Sequence, residues 1–322
     1  MSRKTKIWLI VAGSLILVGA IIFTGVMSAM EWDFSRLSTE KYETNEYEIS
    51  EAFESISLKT DTADIIFLPS SDDACRVECY ESKKEKHSVE VKDGALEISL
   101  ISEKQWYDYI QINLYASPKI KIYLPKSEFK DLTLKGSTTD IEISKGFCFE
   151  NINVEVGTGD VRCYASASNT LKIKANTGDV YVEGDSAGNV DLTTNTGDIT
   201  VSKLDCDGSV SLSVNTGKST LSSVKCKDLV SVGNTGDIIL TDVVSSGRLD
   251  ITRGTGDVRF DGCDANEITL KASTGDVRGS LLSDKIFITK AGTGKISVPE
   301  TTSGGVCRIT TTTGDIKITI KQ

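Results

Sequence analysis

The residues of this 322-residue chain whose types and spacing could do chemistry are carboxylates and thiols. Asp160, Asp179, Asp198, Asp237, Asp257, Asp276 and Asp315 follow the same Thr-Gly pair, with Lys218 and Lys295 in the equivalent place, and successive copies lie 19 or 20 residues apart. Weaker copies precede them at Asp140 and Asp64. If the copies stack at one strand spacing, about 4.8 Å, unscreened carboxylates repel, and a calcium ion could relieve this. The alternative is that each Asp caps its own turn by accepting backbone N–H groups. The nonapeptide calcium-binding coil has another period and more glycines, and Lys218 and Lys295 interrupt the column. The column is therefore read as turn-capping, and no metal ligand is assigned.

The eight cysteines follow the same register. Cys148, Cys206 and Cys226 fall eight residues after a punctuation residue, Cys163 three after, Cys263 six after and Cys307 eight before. Those columns otherwise hold mostly Leu, Val, Ile, Ala or Ser, which predicts inward-facing thiols acting as small hydrophobes. A bridge between Cys206 and Cys226 in adjacent coils is the competing reading. Cys75 and Cys79 share a strand face with Val77. There is no CxxC pair, and His87, beside Lys86 in a charged turn, is the sole histidine and is expected to be solvated. Zinc sites and Ser-His-Asp or Cys-His catalysis therefore lack their parts. Carboxylate hydrolysis or calcium-assisted lyase chemistry would need a break in the repeat that gathers acids and a base, whereas the repeat runs on. The reading is a non-enzyme, with no catalytic, cofactor-binding or metal residue and no cofactor.

The elements that hold these columns are short strands. Leu171, Ile173 and Ala175 alternate with polar residues before Asp179, and Val180 and Val182 do so after it; Val190, Leu192, Thr194, Ile199 and Val201 repeat the pattern. A period of 19–20 residues with two strands is too short for helical repeats and suits one coil of a parallel β-solenoid. Stacking makes each aliphatic residue a rung of one core. The fold class is all-β, a solenoid of about ten such turns, preceded by one transmembrane helix.

Arg3, Lys4 and Lys6 precede Ile7 to Met30, 24 residues without a charge. That length spans a bilayer. Met27-Ser28-Ala29 is a poor cleavage site, so a retained anchor is favoured over a signal peptide, and the basic flank puts residues 1–6 in the cytoplasm and the chain after Glu31 outside. Residues 31–51, acidic and weakly patterned, read as a stalk. Residues 52–131 read as an N-terminal cap and first coils, in which Trp106, Tyr107, Tyr109, Tyr115 and Tyr123 cover the open core or, alternatively, form a platform for sugars. Residues 132–322 are the regular repeats. The net charge is −10, and past the first six residues the only basic cluster is the short turn Lys83 to His87, which argues against nucleic acid.

The anchor, a strand ending at Pro125, the segment Phe129-Lys130-Asp131-Leu132-Thr133-Leu134 and the serial Thr-Gly-Asp-Val/Ile coils together resemble the bacterial putative-adhesin family of β-strand-repeat domains, over about residues 52 to 320. The resemblance implies an extracytoplasmic or membrane-anchored protein, in some members linked to envelope stress, and supplies no catalytic set. The expected function is a cell-surface, adhesin-like binding or structural protein whose partner is an envelope polymer or surface protein. The alternatives are an envelope-stress component that modulates a membrane sensor and, less favoured, a glycan-active enzyme. The last strand, Ile316 to Ile320, is expected to be the uncovered end of the stack, open to end-to-end self-association but blunted by Lys317 and Lys321.

Overall fold

The computed structural model describes residues 2–32, 42–72, 74–103 and 117–321. It is an all-β solenoid of about ten turns with one N-terminal helix, as the periodicity implies. Helix α1 (Arg3–Ala29) starts at Ser2, whose hydroxyl accepts the Thr5 N–H, and its side chains are exposed almost throughout. With a mean hydropathy of 2.5 it is long and apolar enough to cross a membrane, and it fits a single-pass segment or a signal sequence.

The chain then enters β1 (Tyr42–Ile49), β2 (Ser55–Lys59), β3 (Asp64–Pro69), β4 (Cys75–Ser82), β5 (Glu85–Lys92), β6 (Ala95–Ser102) and β7 (Lys119–Leu124). Regular coils follow, each a first-sheet strand, a Thr-Gly-Asp corner and a second-sheet strand. They begin with β8 (Glu128–Thr138) and β9 (Ile141–Ile143), β10 (Cys148–Thr158) and β11 (Val161–Cys163), and β12 (Ser166–Thr177) and β13 (Val180–Glu183). The next pairs are β14 (Ser186–Thr196) with β15 (Ile199–Cys206) and β16 (Ser209–Thr216) with β17 (Ser219–Cys226). β18 (Asp228–Thr235), β19 (Ile238–Thr255), β20 (Val258–Thr274) and β21 (Val277–Leu281) continue without interruption, and β22 (Lys285–Thr293), β23 (Ile296–Ser297), β24 (Gly305–Thr313) and β25 (Ile316–Ile320) close the chain.

Period-two alternation produces the core. In β12, Leu171, Ile173 and Ala175 are buried while Lys172 and Lys174 are exposed. Ile173 lies in register with Val154 below and Leu192 above, so the interior is a set of aliphatic ladders. At each corner the glycine has φ between +128° and +147° from Gly159 through Gly314. A Cβ at Gly178 would also run into the carbonyl oxygen of Gly159, so both the dihedral and the coil spacing require glycine there.

The coils do not stack in chain order at the two ends. β2 lies between β6 and β8, and β3 between β7 and β9, so the first coil in sequence is second in space. At the other end β24 lies between β20 and β22, and β25 between β21 and β23. This overturns the expectation for the last strand: Ile316 and Ile318 are buried inside the stack, and the outermost coil is β22–β23. Lys317 and Lys321 therefore guard no edge.

The expected stalk also changes at its end. Residues 42–49 form β1, which pairs antiparallel with all of β4. Its alternating polar side chains suit an edge strand: Glu43 meets Lys86 at 2.7 Å, and Tyr42 stacks on Tyr80 at 5.3 Å. Of the aromatics expected to cap the core, Trp106, Tyr107, Tyr109 and Tyr115 lie outside the described residues, and Tyr123 sits half-buried under the Arg76 guanidinium. A row of Phe53, Phe129 and Phe149 stacks along the corner of the first coils instead.

Candidate functional site

While the Thr-Gly-Asp corner is nearly invariant along the stack, the corner that leaves the second sheet is bent in a way that opens a groove. Lys203, Ser223, Asp242 and Gly262, each five residues after a punctuation residue, have φ of 50°, 54°, 51° and 63°. Three non-glycine residues in the left-handed region cost roughly 1 kcal/mol or more each. Adjacent coils tolerate the bend because it sends the following residue, Leu204, Val224, Val243 or Cys263, into the core, where each is buried. Beyond these, Asp205, Lys225 and Val244 turn outward in register.

Between the two outward rows runs a groove of about 480 Å³, open along the solenoid axis. Carboxylates of Asp185, Asp205 and Asp242 and the ammonium groups of Lys203 and Lys225 line it, while Val244 and Leu282 give its far end an exposed apolar floor. Lys203 is held by Glu183 at 2.9 Å, and Tyr181 donates to the same carboxylate at 2.6 Å. Those two hydrogen bonds, that of Tyr181 first, hold the Glu183 carboxyl below its ordinary range. The arrangement offers alternating acceptors, donors and apolar contacts at each ~4.8 Å rung. The sequence signal was present, a polar or glycine residue at a fixed offset in four successive repeats, but the inward-facing columns masked it.

The Asp column does something other than cap its own turn. Asp160 Oδ1 accepts the backbone N–H of Asp179 at 2.9 Å, Asp179 Oδ1 that of Asp198 at 2.8 Å, and Asp198 Oδ1 that of Lys218 at 2.7 Å. Each carboxylate thus ties its coil to the next one. A lysine can receive such a bond through its own N–H but cannot extend the series. Lys295 needs no carboxylate, because the Asp276–Asp315–Lys295 run ends on the outermost coil.

The thiol columns face inward as expected. Seven cysteines are buried, Cys148 is half-buried, and all eight are free, including Cys206 and Cys226. Burial pushes the Cys163 and Cys226 thiols up to about 12.

His87 departs from expectation. It is buried, because Glu81 and Ser82 end β4 as buried residues rather than as part of a solvated turn. Glu81 Oε2 lies 2.7 Å from both the backbone N and the Nδ1 of His87, Glu81 Oε1 accepts from Asn45 at 2.7 Å, and Thr60 Oγ1 is 3.0 Å from Nε2. Tyr47 of β1 donates to the His87 carbonyl at 3.1 Å. Cys79, Glu81 and His87 present ligand atoms within 4.8 Å of one another, a grouping that sequence spacing gave no hint of. As a catalytic Cys-His pair it fails: desolvation, with Glu81 adding to it, raises the thiol to about 12, and the adjoining cavity of about 10 Å³ admits at most one water. As a metal-ligand set, its carboxylate and imidazole are already engaged by protein donors and acceptors. It acts as a polar peg that fastens β1 and the β4–β5 hairpin to the first coils.

A stack of two-strand coils with a surface groove along one corner defines a β-solenoid protein. More particularly, the chain belongs to the family described as Toastrack DUF4097, whose model matches residues 53–213 and 204–322. It is similar in fold to a putative adhesin from Parabacteroides distasonis, at 13% identity and a TM-score of 0.47, covering 88% of this chain and 98% of that one. A putative adhesin from Bacteroides fragilis aligns at 17% identity and a TM-score of 0.43, with 87% and 97% covered. A protein from P. distasonis described as a putative lipid binding protein aligns at 16% and 0.34, with 88% and 98% covered. No curated protein matches the sequence.

Proposed function

We propose that this chain is a single-pass, membrane-anchored surface protein that binds an extended envelope polymer along its axial groove without transforming it. Residues 1–6 lie in the cytoplasm, residues 7–30 cross the bilayer, and the solenoid projects outside. The observation that carries the reading is the periodic groove. A groove whose rungs recur at one strand spacing while their side chains change from rung to rung fits an extended ligand, and the mixture of carboxylates, ammonium groups and apolar patches suits a hydroxyl-rich glycan better than a polyanion. The orientation rests on Arg3, Lys4 and Lys6 ahead of the apolar helix.

The full chain in lipid nanodiscs, tested against purified wall and capsular polysaccharides, should retain at least one class, and Val244→Arg should weaken that binding by roughly tenfold or more by filling the groove. Lys172→Glu, on the outer face of the solenoid and away from the groove, should leave it unchanged. Equal binding by the wild type and Val244→Arg overturns the groove as the site. Hydrolysis or lyase products from the retained polymer would overturn the non-enzymatic reading.

A further inference from the structure

The interior of the solenoid contains a cation, Arg253, with no counter-ion among the described residues. Arg253 occupies an inward position of β19, in register with Gly233 below and Ala272 above, and is 2% exposed. Its Nη2 donates at 2.9 Å to Ser219 Oγ and at 2.9 Å to Ser231 Oγ, bridging the two sheets through the core. Its Nε and Nη1 have no hydrogen-bond partner among the described residues. Lys285, a second buried cation, shows the usual solution: Asp264 lies 2.6 Å from its Nζ. Arg253 has no such carboxylate among the described residues, and desolvation lowers it to about 10, which leaves it charged at neutral pH.

Three neighbouring positions break their ladders to admit this group. Ser219 stands where Ile199 and Ile238 occupy the adjacent rungs, and Ser231 where Leu212 and Ile251 do. Gly233 is aligned with Val214, and a Cβ there would collide with Arg253 Nη1. Each serine oxygen accepts from Nη2, and no hydrogen bond donated by either hydroxyl is found among the described residues. The niche therefore presents donors: the free N–H groups of Arg253 and the O–H groups of Ser219 and Ser231. Water would satisfy single donors but would not neutralise the charge, and an unpaired buried charge is strongly destabilising.

We infer that the solenoid core holds a small monovalent anion of the halide class, bound by one free guanidinium N–H of Arg253 together with a neighbouring serine hydroxyl, that of Ser219 or Ser231. The anion supplies the charge that Asp264 supplies to Lys285, and it makes the middle of the stack dependent on ionic composition. The site is independent of the groove, which lies on the outer surface.

The test is thermal unfolding of the full chain in detergent, in sodium chloride or sodium bromide against sodium gluconate, at one pH and ionic strength. Chloride and bromide should raise Tm by about 2–5 °C over gluconate, saturating as for a single site. Arg253→Met should abolish the difference. An equal Tm in all three salts, or the same halide response in Arg253→Met, overturns the proposal. Should Arg253→Met fail to fold, bromide anomalous diffraction from wild-type crystals decides: a peak within hydrogen-bonding reach of Arg253 supports the site, and its absence overturns it.

Discussion

The two ends of the solenoid are built by the same topological device and finished in opposite ways. At each end the outermost coil in space is not the terminal one in sequence, because one coil is inserted beneath it. At the N-terminal end the outermost strands are paired again from outside: β5 lies antiparallel to β6, β4 to β7, and β1 to β4. Leu96, Ile98, Ile120 and Ile122 are consequently buried. At the other end, among the described residues, β22 pairs with β24 and β23 with β25, with no strand beyond them. Phe287 and Ile296, in register with the buried Cys307 and Ile316, are left half-buried and 45% exposed respectively, with Lys290 and Lys295 as the exposed charges on this edge. A parallel solenoid needs a chain reversal to close itself, and the β4–β5 hairpin supplies one. Where no hairpin follows, charge takes over the protection of the edge.

The contrast is broken most severely through the core. Ile122→Asp should place an unpaired charge under the hairpin cap and cost at least about 3–5 kcal/mol, whereas Ile296→Asp, at the open end, should cost less than about 1 kcal/mol. Urea unfolding of the full chain in detergent measures both, and equal losses would mean that the C-terminal edge is covered in solution.

A smaller effect separates the cap from the coils it covers. Glu81→Ala leaves the Asn45 amide and both His87 donors without their buried acceptor and should cost about 2–4 kcal/mol, with Glu81→Gln recovering part of it. Hydrogen exchange should then show β1 and β5 losing protection before β10 to β18. Uniform loss along the stack would show that the cap and coils open as one unit.

The smallest difference lies in the carboxylate ladder. Asp276→Ala removes the acceptor for the Asp315 N–H inside the stack and should cost about 1 kcal/mol, while Lys295→Ala, on the last rung, should be silent within about 0.5 kcal/mol. Matching midpoints for the two variants would show that the inter-coil bond contributes nothing net.

Much of this architecture is legible in the residues themselves. Alternation around Ile173 and Leu192, the 19–20-residue spacing and the recurring glycine specify two-strand coils in fixed register, because a one-residue slip would turn the apolar ladder outward. The inward thiols follow from the same periodicity. The apolar run after Lys6 likewise marks a membrane-spanning length without reference to any fold. These are local or nearest-neighbour properties, and a repeat expresses them in every copy.

Only the tertiary structure decided what depends on non-neighbouring segments. His87 looks solvated until β4 carries Glu81 inward beside it and Thr60 arrives from the coil that begins at β2. Asp160 looks like a cap for its own turn until the next coil brings the Asp179 N–H to it. The groove requires four left-handed corners to fall in line, and the Arg253 niche requires Ser219, Ser231 and Gly233 from different strands to meet. The order of the end coils is the clearest case, since β24 satisfies the same ladder pattern whether it stacks above β22 or beneath it. Residue pattern determines which face of a strand is buried and in what register. Which coil lies against it is set by closing the ends, and that depends on contacts between segments far apart in the chain.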